Sequence, residues 1–443
     1  MIEPKEGCRQ MARHYHTAIV GGGLAGLLAA CDLARSGIRA VILEAGKETG
    51  GRARTKKVDG FRFNQGPHAL YLKGTFRAAL DNLGIQYSGS KPAIDNAVTL
   101  WGKQKHPFPT GFGSLLRLTP LGLLERVQVA KLLMRIVRGD YSLAGQSLDD
   151  FTQYFRPRVK MLLEALVRVT TYVNAPAEID AQAALNQIRL SLGGVIYLND
   201  GWGSLVAALT TLATTSGADV MTESRVTGLT WESAGWHLGV ADREEITADT
   251  VILAIDPAEC ARLAGRSAIL RDTLRSMKPA KVACLDIALS ELPRPADNFA
   301  LGTDEPIYFS VHSKAARLAP EGNALIQAMR YLGRNEKAGP GNIETLENLV
   351  DLMQPGWRAV EIHRQQLVGM TVMHDIPQAR NGGRRVPVIL DDTPGLFLAG
   401  DWVGGQGMLS DAVAASAKFA AKAVCMHLGG IEKDLPASVA RLS

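Results

Sequence analysis

The strongest pattern in the chain lies near its N-terminus, where a short apolar run, a glycine cluster, a small-residue stretch and a second apolar run follow one another. Residues 17–20 (TAIV) predict a buried strand, and residues 24–36 predict a helix that Gly37 ends. Residues 40–43 (AVIL) predict a second strand, and Glu44 follows it directly. This order predicts a βαβ unit with parallel strands.

The glycines between the first strand and the helix fit the pattern GxGxxG through Gly21, Gly23 and Gly26. Gly21 permits a tight turn, Gly23 lets the backbone approach a pyrophosphate, and Gly26 lets helix and strand pack closely. Glu44 is placed to accept hydrogen bonds from ribose hydroxyls, and its charge would repel a 2′-phosphate. The pattern therefore indicates FAD or NAD. A βαβ unit in which the glycines serve packing alone would not account for Glu44 at the end of the second strand.

A second glycine-rich segment follows a predicted strand near the C-terminus. Residues 396–399 (LFLA) are apolar, Gly400-Asp401 ends the run, and further glycines lead into a helix predicted from about Met408. Residues 248–259 (ADTVILAIDPAE) predict another strand, which ends in an acid and a proline. Because such segments recur along the chain, we expect a discontinuous nucleotide-binding domain with a second domain between its parts.

The intervening stretches predict helices and long strands. Residues 110–170 show helical periodicity, and residues 278–375 contain strand-like runs. In residues 118–140 an apolar stripe is interrupted by arginine and lysine. Two interpretations stay open for this stripe: a face that rests on an anionic membrane surface, or a helix packed in the second domain with a solvated basic edge, which is the commoner case.

Composition narrows the functional classes. The chain has 443 residues, too many for one simple core, and its 46% hydrophobic and 21% charged residues are ordinary for an α/β enzyme. The net charge of +5 comes from scattered residues, so nucleic acid is not expected as a partner. The five cysteines are widely spaced and the histidines show no ligand motif, so we expect no metal and a reducing cytoplasm. The apolar run at 17–31 is too short to span a membrane, which favours a cytoplasmic protein, soluble or peripheral to the membrane.

Three motifs together resemble the FAD-containing amine oxidase and phytoene desaturase superfamily. GGR at 50–52 follows the ribose acid, FNQGPHALY at 63–71 resembles the segment that passes near the flavin ring, and GDWVGGQGML at 400–409 resembles the C-terminal flavin segment. The resemblance implies an α/β protein with a Rossmann-type, GR2-like FAD-binding domain and an interleaved α+β substrate domain. The chain looks most similar to the phytoene-desaturase-like branch.

The resemblance also implies how the chain is divided between the two domains. The expected FAD-binding domain comprises residues 14–92, 200–272 and 381–430, the expected substrate domain comprises residues 93–199 (helical) and 273–380 (a sheet), and residues 1–13 and 431–443 are tails.

The family's cofactor contacts are carried over to matching positions. There, an aspartate at the position of Asp401 holds a ribityl hydroxyl, and the following helix aims its N-terminus at the flavin. Val226 matches a backbone contact to adenine. FAD is expected to be non-covalent, because residues 400–409 contain no cysteine or histidine. The expected cofactor-binding residues are Gly21, Gly23, Leu24, Ala25, Gly26, Glu44, Ala45, Gly51, Arg52, Gly66, Pro67, His68, Val226, Gly400, Asp401, Gly407, Met408 and Leu409.

The chemistry implied is transfer of a hydride or its equivalent from an organic substrate to flavin N5. Candidate catalytic residues are His68, Lys281, as the lysine that amine oxidases often keep near the flavin, and Trp402, as an aromatic beside the ring. A buried, hydrogen-bonded histidine and an ordinary strand-end lysine are the alternatives for the first two. The candidate pocket residues, which are equally well explained as core, are Tyr197, Trp202, Tyr308 and His312.

Three functions remain in competition. The first is oxidation of an apolar substrate such as a carotenoid, isoprenoid or natural product, with oxygen or a quinone as acceptor because no second GxGxxG is present. The second is amine oxidation with release of hydrogen peroxide, which the lack of a second aromatic after Trp402 disfavours. The third is a flavin-free binding protein similar to the guanine-nucleotide dissociation inhibitors, which the intact glycine cluster and Glu44 disfavour.

Overall fold

Two large β-sheets and the helices around them organise the protein. The structure, a computed structural model, describes residues 13–108, 120–232 and 235–429. The helices are α1 (Leu24–Arg35), α2 (Thr75–Asn82), α3 (Leu123–Arg138), α4 (Leu148–Thr152), α5 (Pro157–Thr171), α6 (Ala181–Ser191), α7 (Gly203–Thr215), α8 (Pro257–Leu263), α9 (Ala268–Ser276), α10 (Pro340–Met353) and α11 (Leu409–Leu428). The strands are β1 (Arg13–Val20), β2 (Ala40–Leu43), β3 (Thr55–Val58), β4 (Phe61–Asn64), β5 (Leu70–Tyr71), β6 (Gly89–Ser90), β7 (Val98–Trp101), β8 (Gln104–Pro107), β9 (Val195–Leu198), β10 (Asp219–Met221), β11 (Val226–Glu232), β12 (Gly235–Val240), β13 (Ile246–Leu253), β14 (Ala280–Leu289), β15 (Phe299–Gly302), β16 (Ile307–Val311), β17 (Ala324–Tyr331), β18 (Glu361–Met373) and β19 (Leu396–Leu398).

The first sheet has the strand order β10-β2-β1-β13-β12-β11, and β19 pairs with the end of β13. Strands β10, β2, β1, β13 and β19 run parallel, whereas β12 pairs antiparallel with β13 and β11. All four residues of β2 are buried, as expected for a parallel strand covered on both faces. Because the carboxyl ends of parallel strands meet at one edge, the residues that follow β1, β2, β13 and β19 lie close together.

Helix α1 lies directly against the turn that precedes it. A Cβ atom built on Gly26 would stand 2.0 Å from the carbonyl oxygen of Gly21, a distance that no side chain permits. Gly21 itself has a φ of 104°, and a Cβ there would stand 2.6 Å from the carbonyl oxygen of Ala254. The two glycines therefore let the helix, the turn and the end of β13 pack together.

The second sheet has the order β18-β14-β17-β16-β15-β7-β8 and is antiparallel apart from the β15–β7 pair. Helix α10 packs on it through a buried apolar cluster that includes Ile287 of β14 and Leu346 of the helix. Helices α3 to α6 form a further cluster that reaches Met373 at the end of β18. This sheet thereby supplies a second rigid wall beside the edge of the first.

The α/β fold class predicted from the sequence is confirmed, and individual elements differ at their ends. Strand β1 begins at Arg13, earlier than the predicted start at residue 17, and α11 begins at Leu409. The helical prediction for 110–170 corresponds to α3, α4 and α5, while residues 109–119 lie outside the described residues. The domain boundaries stay a prediction. Within the described residues, no helix combines the length and the apolar character needed to cross a bilayer.

Candidate functional site

A cavity of about 560 Å³ lies at the carboxyl edge of the first sheet, between it and the second sheet. The ends of β1, β2, β13 and β19 form one wall, and Met329 of β17 and Met370 of β18 belong to the other. The sequence-predicted residues that line this cavity are Gly21, Gly23, Leu24, Ala25, Glu44, Gly51, Arg52, Pro67, His68, Trp202, Gly400, Asp401, Trp402 and Leu409.

The N-terminus of α1 opens onto the cavity. No side chain caps this helix, and its first turn holds no acidic residue, so its free N–H groups carry uncompensated positive potential. A Cβ atom built on Gly23 would meet no protein atom within 4 Å, and Gly23 lines the cavity. The backbone is thus bare at the point where an anionic ligand group would approach it.

The carboxylate of Glu44 is held at the end of β2 by two backbone donors. The N–H of Gly22 donates to Oε2 at 2.7 Å, and the N–H of Gly46 donates to Oε1 at 2.6 Å. These bonds orient a carboxylate beside the α1 turn. They leave lone pairs on both oxygens for further donors such as hydroxyl groups.

Asp401 is a buried carboxylate that joins three distant segments. The guanidinium of Arg52 donates from Nη2 to Oδ1 at 2.7 Å. His374 donates its backbone N–H to Oδ2 at 2.9 Å, and its ring Nδ1 lies 3.1 Å from Oδ1. Arg52 also donates to the carbonyl oxygen of Val372 at 2.6 Å, which ties the GGR segment to the end of β18.

Charge and hydrogen bonding keep Asp401 ionised in spite of its burial. Burial by itself would raise the pKa of this carboxyl, but the charge of Arg52 and the hydrogen bonds from His374 and Arg52 hold the pKa well below its usual value. Since an ionised carboxylate can only accept, Nδ1 of His374 is the donor in that contact. The cavity therefore keeps a fixed negative group between two donors.

The N-terminus of α11 reaches the cavity through Leu409, Ser410 and Val413. No side chain caps this helix, since its N-cap residue is Met408, and Asp411 in its first turn reaches across to another helix. Oδ1 of Asp411 accepts the N–H of Phe76 at 2.8 Å and so caps the start of α2. The positive end of the α11 dipole is consequently directed at the cavity.

The part of the cavity beyond these polar groups is aromatic and apolar. His68, Tyr71, Tyr172 and Trp202 line it together with the two methionines. The hydroxyl of Tyr172 donates to the carbonyl oxygen of Pro67 at 3.0 Å, and that of Tyr71 donates to Thr170 O at 2.8 Å. Both phenols are thus oriented by backbone acceptors, and burial raises the pKa of each.

His68 is held in a defined tautomer. Its Nδ1 lies 2.9 Å from the carbonyl oxygen of Gly66, which can only accept, so the proton is on Nδ1. Burial lowers the pKa of the imidazole, against the opposing effect of this hydrogen bond. His68 is therefore neutral near pH 7, with Nε2 as an acceptor.

Several predicted site residues do not line the cavity. Val226 is buried in β11, where its carbonyl oxygen accepts from Arg262 at 3.1 Å. The loop that carries Gly407 is held by Arg385, which donates to Gly407 O at 2.8 Å and to Gly404 O at 2.9 Å. The predicted cofactor-binding residues absent from the cavity lining are Gly26, Ala45, Gly66, Val226, Gly407 and Met408.

Lys281 requires a correction. Its side chain is exposed, it is not among the residues that line the cavity, and its carbonyl oxygen accepts the N–H of Leu332. Lys281 is the one exposed residue of β14, since Ala280 and all residues from Val282 to Leu289 are buried. The interpretation of Lys281 as a lysine beside the flavin is therefore not supported. Tyr197, Tyr308 and His312 also lie outside the lining and form a buried cluster of their own.

Sequence reasoning missed residues of the second sheet and its neighbours. His374 and Tyr172 line the cavity, and Arg385 holds the C-terminal glycine loop. His374 and Tyr172 lie outside the glycine-rich motifs, and their positions depend on where β18 and α5 end. Tyr172 adopts a left-handed φ of 64° at the end of α5, a conformation that few non-glycine residues take.

The geometry suits a dinucleotide cofactor, and comparison with known proteins identifies the family. The family model for flavin containing amine oxidoreductases matches residues 24–284, more than half of the chain. The protein belongs to this family. It is an FAD-dependent oxidoreductase of the amine oxidase superfamily, as the sequence motifs predicted.

Curated relatives match over short segments. The chain is 53% identical to a carotenoid 3,4-desaturase of Haloarcula japonica over 58 residues, which is 13% of this chain and 12% of the relative. It is 44% identical to a phytoene desaturase of Neurospora crassa over 118 residues, 21% of this chain and 20% of the relative. It is 38% identical to the L-amino acid oxidase Lm29 of Lachesis muta over 96 residues, 21% of this chain and 19% of the relative. The matched segments thus span a fifth or less of the length of these relatives.

Solved structures share the fold over nearly the whole chain. An oxidoreductase from Methanosarcina mazei superimposes with a TM-score of 0.74 and 19% identity, covering 92% of this chain and 99% of that one. Cyclohexylamine oxidase from Brevibacterium oxydans superimposes with a TM-score of 0.69 and 16% identity, covering 94% and 99%. At these identities the likeness shows the fold alone.

We predict that Gly23→Ala weakens FAD binding without unfolding the protein. The new methyl group meets no protein atom, so the melting temperature of the FAD-stripped protein should stay within about 2 °C of wild type. The affinity for FAD, measured by flavin fluorescence, should fall by about tenfold or more, since the methyl group occupies the ligand's approach.

Gly26→Ala is the matched contrast, because its methyl group would meet the Gly21 carbonyl at 2.0 Å. This variant should lose roughly 2–4 kcal/mol of stability. If Gly23→Ala destabilised the FAD-stripped protein to the same extent, Gly23 would be a packing glycine and not part of the cofactor site.

Proposed function

We propose that this flavoprotein oxidises an uncharged, largely apolar organic substrate, such as a carotenoid, an isoprenoid or a related natural product. The observation that carries the proposal is the wall of the cavity outside the polar groups, where Met329, Met370, Tyr71, Tyr172 and Trp202 form most of the surface and Gln65 and His68 add polar atoms. FAD, when bound, supplies the chemistry by accepting a hydride or its equivalent. The protein contributes orientation, exclusion of water and a place for the released proton.

The proposed cofactor contacts follow the polar half of the cavity. The α1 N-terminus with Gly23 holds the pyrophosphate, Glu44 holds the ribose, and Asp401 with Arg52 binds near the flavin end. The α11 N-terminus stabilises negative charge at the flavin through its dipole. Trp402, whose Nε1 donates to Ile255 O at 3.2 Å, belongs to this cofactor wall and is not proposed as a catalytic residue.

The positions of the carboxylates argue against a cationic amine as substrate. Among the described residues that line the cavity, the carboxylates are Glu44, Asp256 and Asp401. Glu44 binds two backbone N–H groups, Asp256 caps α8 through Ala258 and Glu259, and Asp401 is paired with Arg52. An ammonium group between the methionines and tyrosines would have no carboxylate partner, at a large desolvation cost. Amine oxidation is therefore the second candidate.

His68 is the proposed proton acceptor. Formation of a carbon–carbon double bond releases a proton in addition to the hydride, and neutral His68 offers Nε2 as a base in the cavity wall. Its Nδ1–H contact to Gly66 stabilises the imidazolium that results. The acceptor of the electrons is proposed to be oxygen or a quinone, as expected from the lack of a second nucleotide motif.

We predict that a negative charge on the apolar wall selectively impairs the apolar substrate. Met370 is half-buried at the cavity, so Met370→Glu is tolerated better there than in a sealed core. Anaerobic bleaching of the flavin by a panel of detergent-dispersed polyenes and isoprenoids should slow by about tenfold or more in Met370→Glu. Met370→Leu, which preserves the apolar surface, should reduce at nearly the wild-type rate.

The same panel includes primary amines and amino acids. Bleaching of the wild-type flavin by an amine, with release of hydrogen peroxide in air and no response to any apolar compound, would establish the second candidate instead.

We predict that His68→Gln retains the bound flavin and loses proton transfer. Glutamine can keep the hydrogen bond to Gly66 O but cannot take up a proton. The rate of flavin reduction by the substrate identified above should fall by about 10²–10⁴-fold. The wild-type rate should decline toward low pH as His68 becomes protonated, and this decline should disappear in the variant. A variant with an unchanged rate and pH profile would leave His68 with a structural role.

We further propose that helix α3 rests on an anionic membrane surface. Leu123, Val127, Met134 and Val137 recur every three, four or seven residues and are exposed, with 75% exposure at Leu123. These four residues are named the apolar stripe. Lys131 lies four residues after Val127, and Arg138 lies four residues after Met134. Arg135 lies four residues after Lys131, and all three basic side chains are exposed.

The net positive charge of α3 favours contact with anionic lipid headgroups. Glu125 is the one acidic residue in 123–138, and its side chain accepts the N–H of Gly122 at the start of the helix. A basic row beside an exposed apolar stripe is typical of helices that lie in the plane of an anionic bilayer. Helix α3 contacts α5, whose end carries Tyr172 in the cavity wall, so the surface and the cavity are joined by one helix.

We predict that the wild-type protein sediments with vesicles of phosphatidylcholine and phosphatidylglycerol, and much less with phosphatidylcholine alone. Val127→Glu combined with Met134→Glu should abolish this binding. Val368→Glu, at a residue 47% exposed on β18, is the matched control and should bind as wild type does. Equal binding by all three proteins would refute the proposal. A dimer in light scattering that the double variant converts to a monomer would assign the stripe to contact between copies.

A further inference from the structure

A row of polar side chains crosses the second sheet on the face that contacts residues 64–66, which lead into the cavity wall. Asp286 of β14 pairs in register with Gln327 of β17 on one side and with Gln365 of β18 on the other. Asp286 and Gln327 are completely buried. A buried row of this kind in an apolar sheet is costly unless each polar atom has a partner, so the partners define what the row does.

The row binds the backbone that leads into the cavity wall. Nε2 of Gln365 donates to the carbonyl oxygen of Asn64 at 2.8 Å and to Oδ2 of Asp286 at 3.0 Å. Nε2 of Gln327 lies 3.4 Å from the carbonyl oxygen of Gly66. Gly66 has a φ of 76° and is followed by Pro67 and His68 in the cavity wall.

Two neighbouring atoms of the row are acceptors without a donor. Oδ1 of Asp286 and Oε1 of Gln327 are buried and have no hydrogen-bond partner. Gln327 presents its amide N–H to Gly66 O, since a carbonyl can only accept, and this leaves Oε1 directed elsewhere. Because the two residues are register partners on adjacent strands, one proton placed between them would satisfy both oxygens.

We propose that Asp286 is a positioning residue: it is protonated in the active protein, donates to Gln327, and through Gln327 and Gln365 holds Asn64 and Gly66 so that His68 faces the cavity. This inference concerns the chain's own hydrogen bonds and does not depend on which substrate is oxidised. Burial raises the pKa of the Asp286 carboxyl to about 8, and the hydrogen bond from Gln365 opposes this effect, which agrees with a neutral acid near pH 7.

The other titratable groups near the row keep one charge state across the same pH range. The sulfur of Cys284 on β14 lies beside Gly66, 3.0 Å from the position that a Cβ atom on Gly66 would occupy. Burial raises the pKa of this thiol well above the usual value. Beyond it lie Tyr197 and Tyr308, whose pKa values burial raises, and His312, whose pKa burial lowers to about 3. In the segment that follows Gly66, burial lowers the pKa of His68. Among these groups, a titration between about pH 7 and 9 belongs to Asp286.

The pH dependence has a definite sign. For an acid whose pKa is higher in the folded protein than in the unfolded chain, the stabilising contribution is fully present below the unfolded pKa, declines as pH rises, and is lost once pH has passed the folded pKa. Ionisation of Asp286 would remove the proposed donor to Gln327 and so weaken the hold on Gly66. The environment of the flavin should therefore change with a midpoint near the folded value given above, whereas stability should fall with rising pH from about 3.9, the unfolded value, and level off above the folded value.

The first test is infrared difference spectroscopy of the FAD-loaded protein near pH 7. Wild type minus Asp286→Asn should show the carbonyl-stretch band of a protonated carboxylic acid, and that band should vanish above about pH 9. Wild type minus Asp95→Asn, which removes an exposed carboxyl, should show no such band. Absence of the band from the first difference spectrum would overturn the proposal.

The second test separates positioning from simple packing. In wild type, the visible circular dichroism of the bound flavin should change with a midpoint near pH 8, and the melting temperature should fall as pH rises toward that value and level off above it. Asp286→Asn keeps a donor for Gln327 and an acceptor for Gln365, so it should retain the low-pH flavin spectrum and lose the transition. Asp286→Leu and Gln327→Leu should show an altered flavin spectrum at every pH. A transition that persists in Asp286→Asn would assign it to another group and refute the role of Asp286.

Discussion

The ion pair between Arg52 and Asp401 is the interaction on which the site depends most directly. It joins the segment after β2 to the loop after β19, and His374 adds the end of the second sheet to the same carboxylate. A buried carboxylate is stable only when charge and donors compensate its lost hydration, and here each donor belongs to a different part of the chain. The cavity walls are thereby set relative to one another by a single anion.

The two halves of the cavity perform different physical tasks. At the sheet edge, bare helix N-termini and fixed carboxylates create alternating regions of positive and negative potential that suit a charged dinucleotide. On the side of Met329 and Met370, no such group faces the ligand among the described residues of the lining, and binding must come from apolar contact. In the proposed assignment, the sheet edge holds the cofactor, and the second sheet with its helices contacts the substrate.

Polar groups behind the apolar wall have a supporting role. Asp286, Gln327 and Gln365 form the buried row that contacts the backbone of 64–66, and Arg385 binds the carbonyl groups of the C-terminal glycine loop. Loops near a reacting centre need such outside support, because their own residues make too few contacts to fix them within the tolerance that catalysis requires.

The sequence by itself determined the nucleotide half: the glycine turn, Glu44, the GGR segment and Gly400-Asp401 are local patterns, because each is a strand end followed by a turn with steric demands that only certain residues meet. It did not reveal that Lys281 is exposed, that Val226 is absent from the cavity lining, or that His374 and Tyr172 line it. Those outcomes depend on strand register and on where β18 and α5 end. A one-residue change in register turns a side chain to the opposite face, and no local pattern encodes that choice.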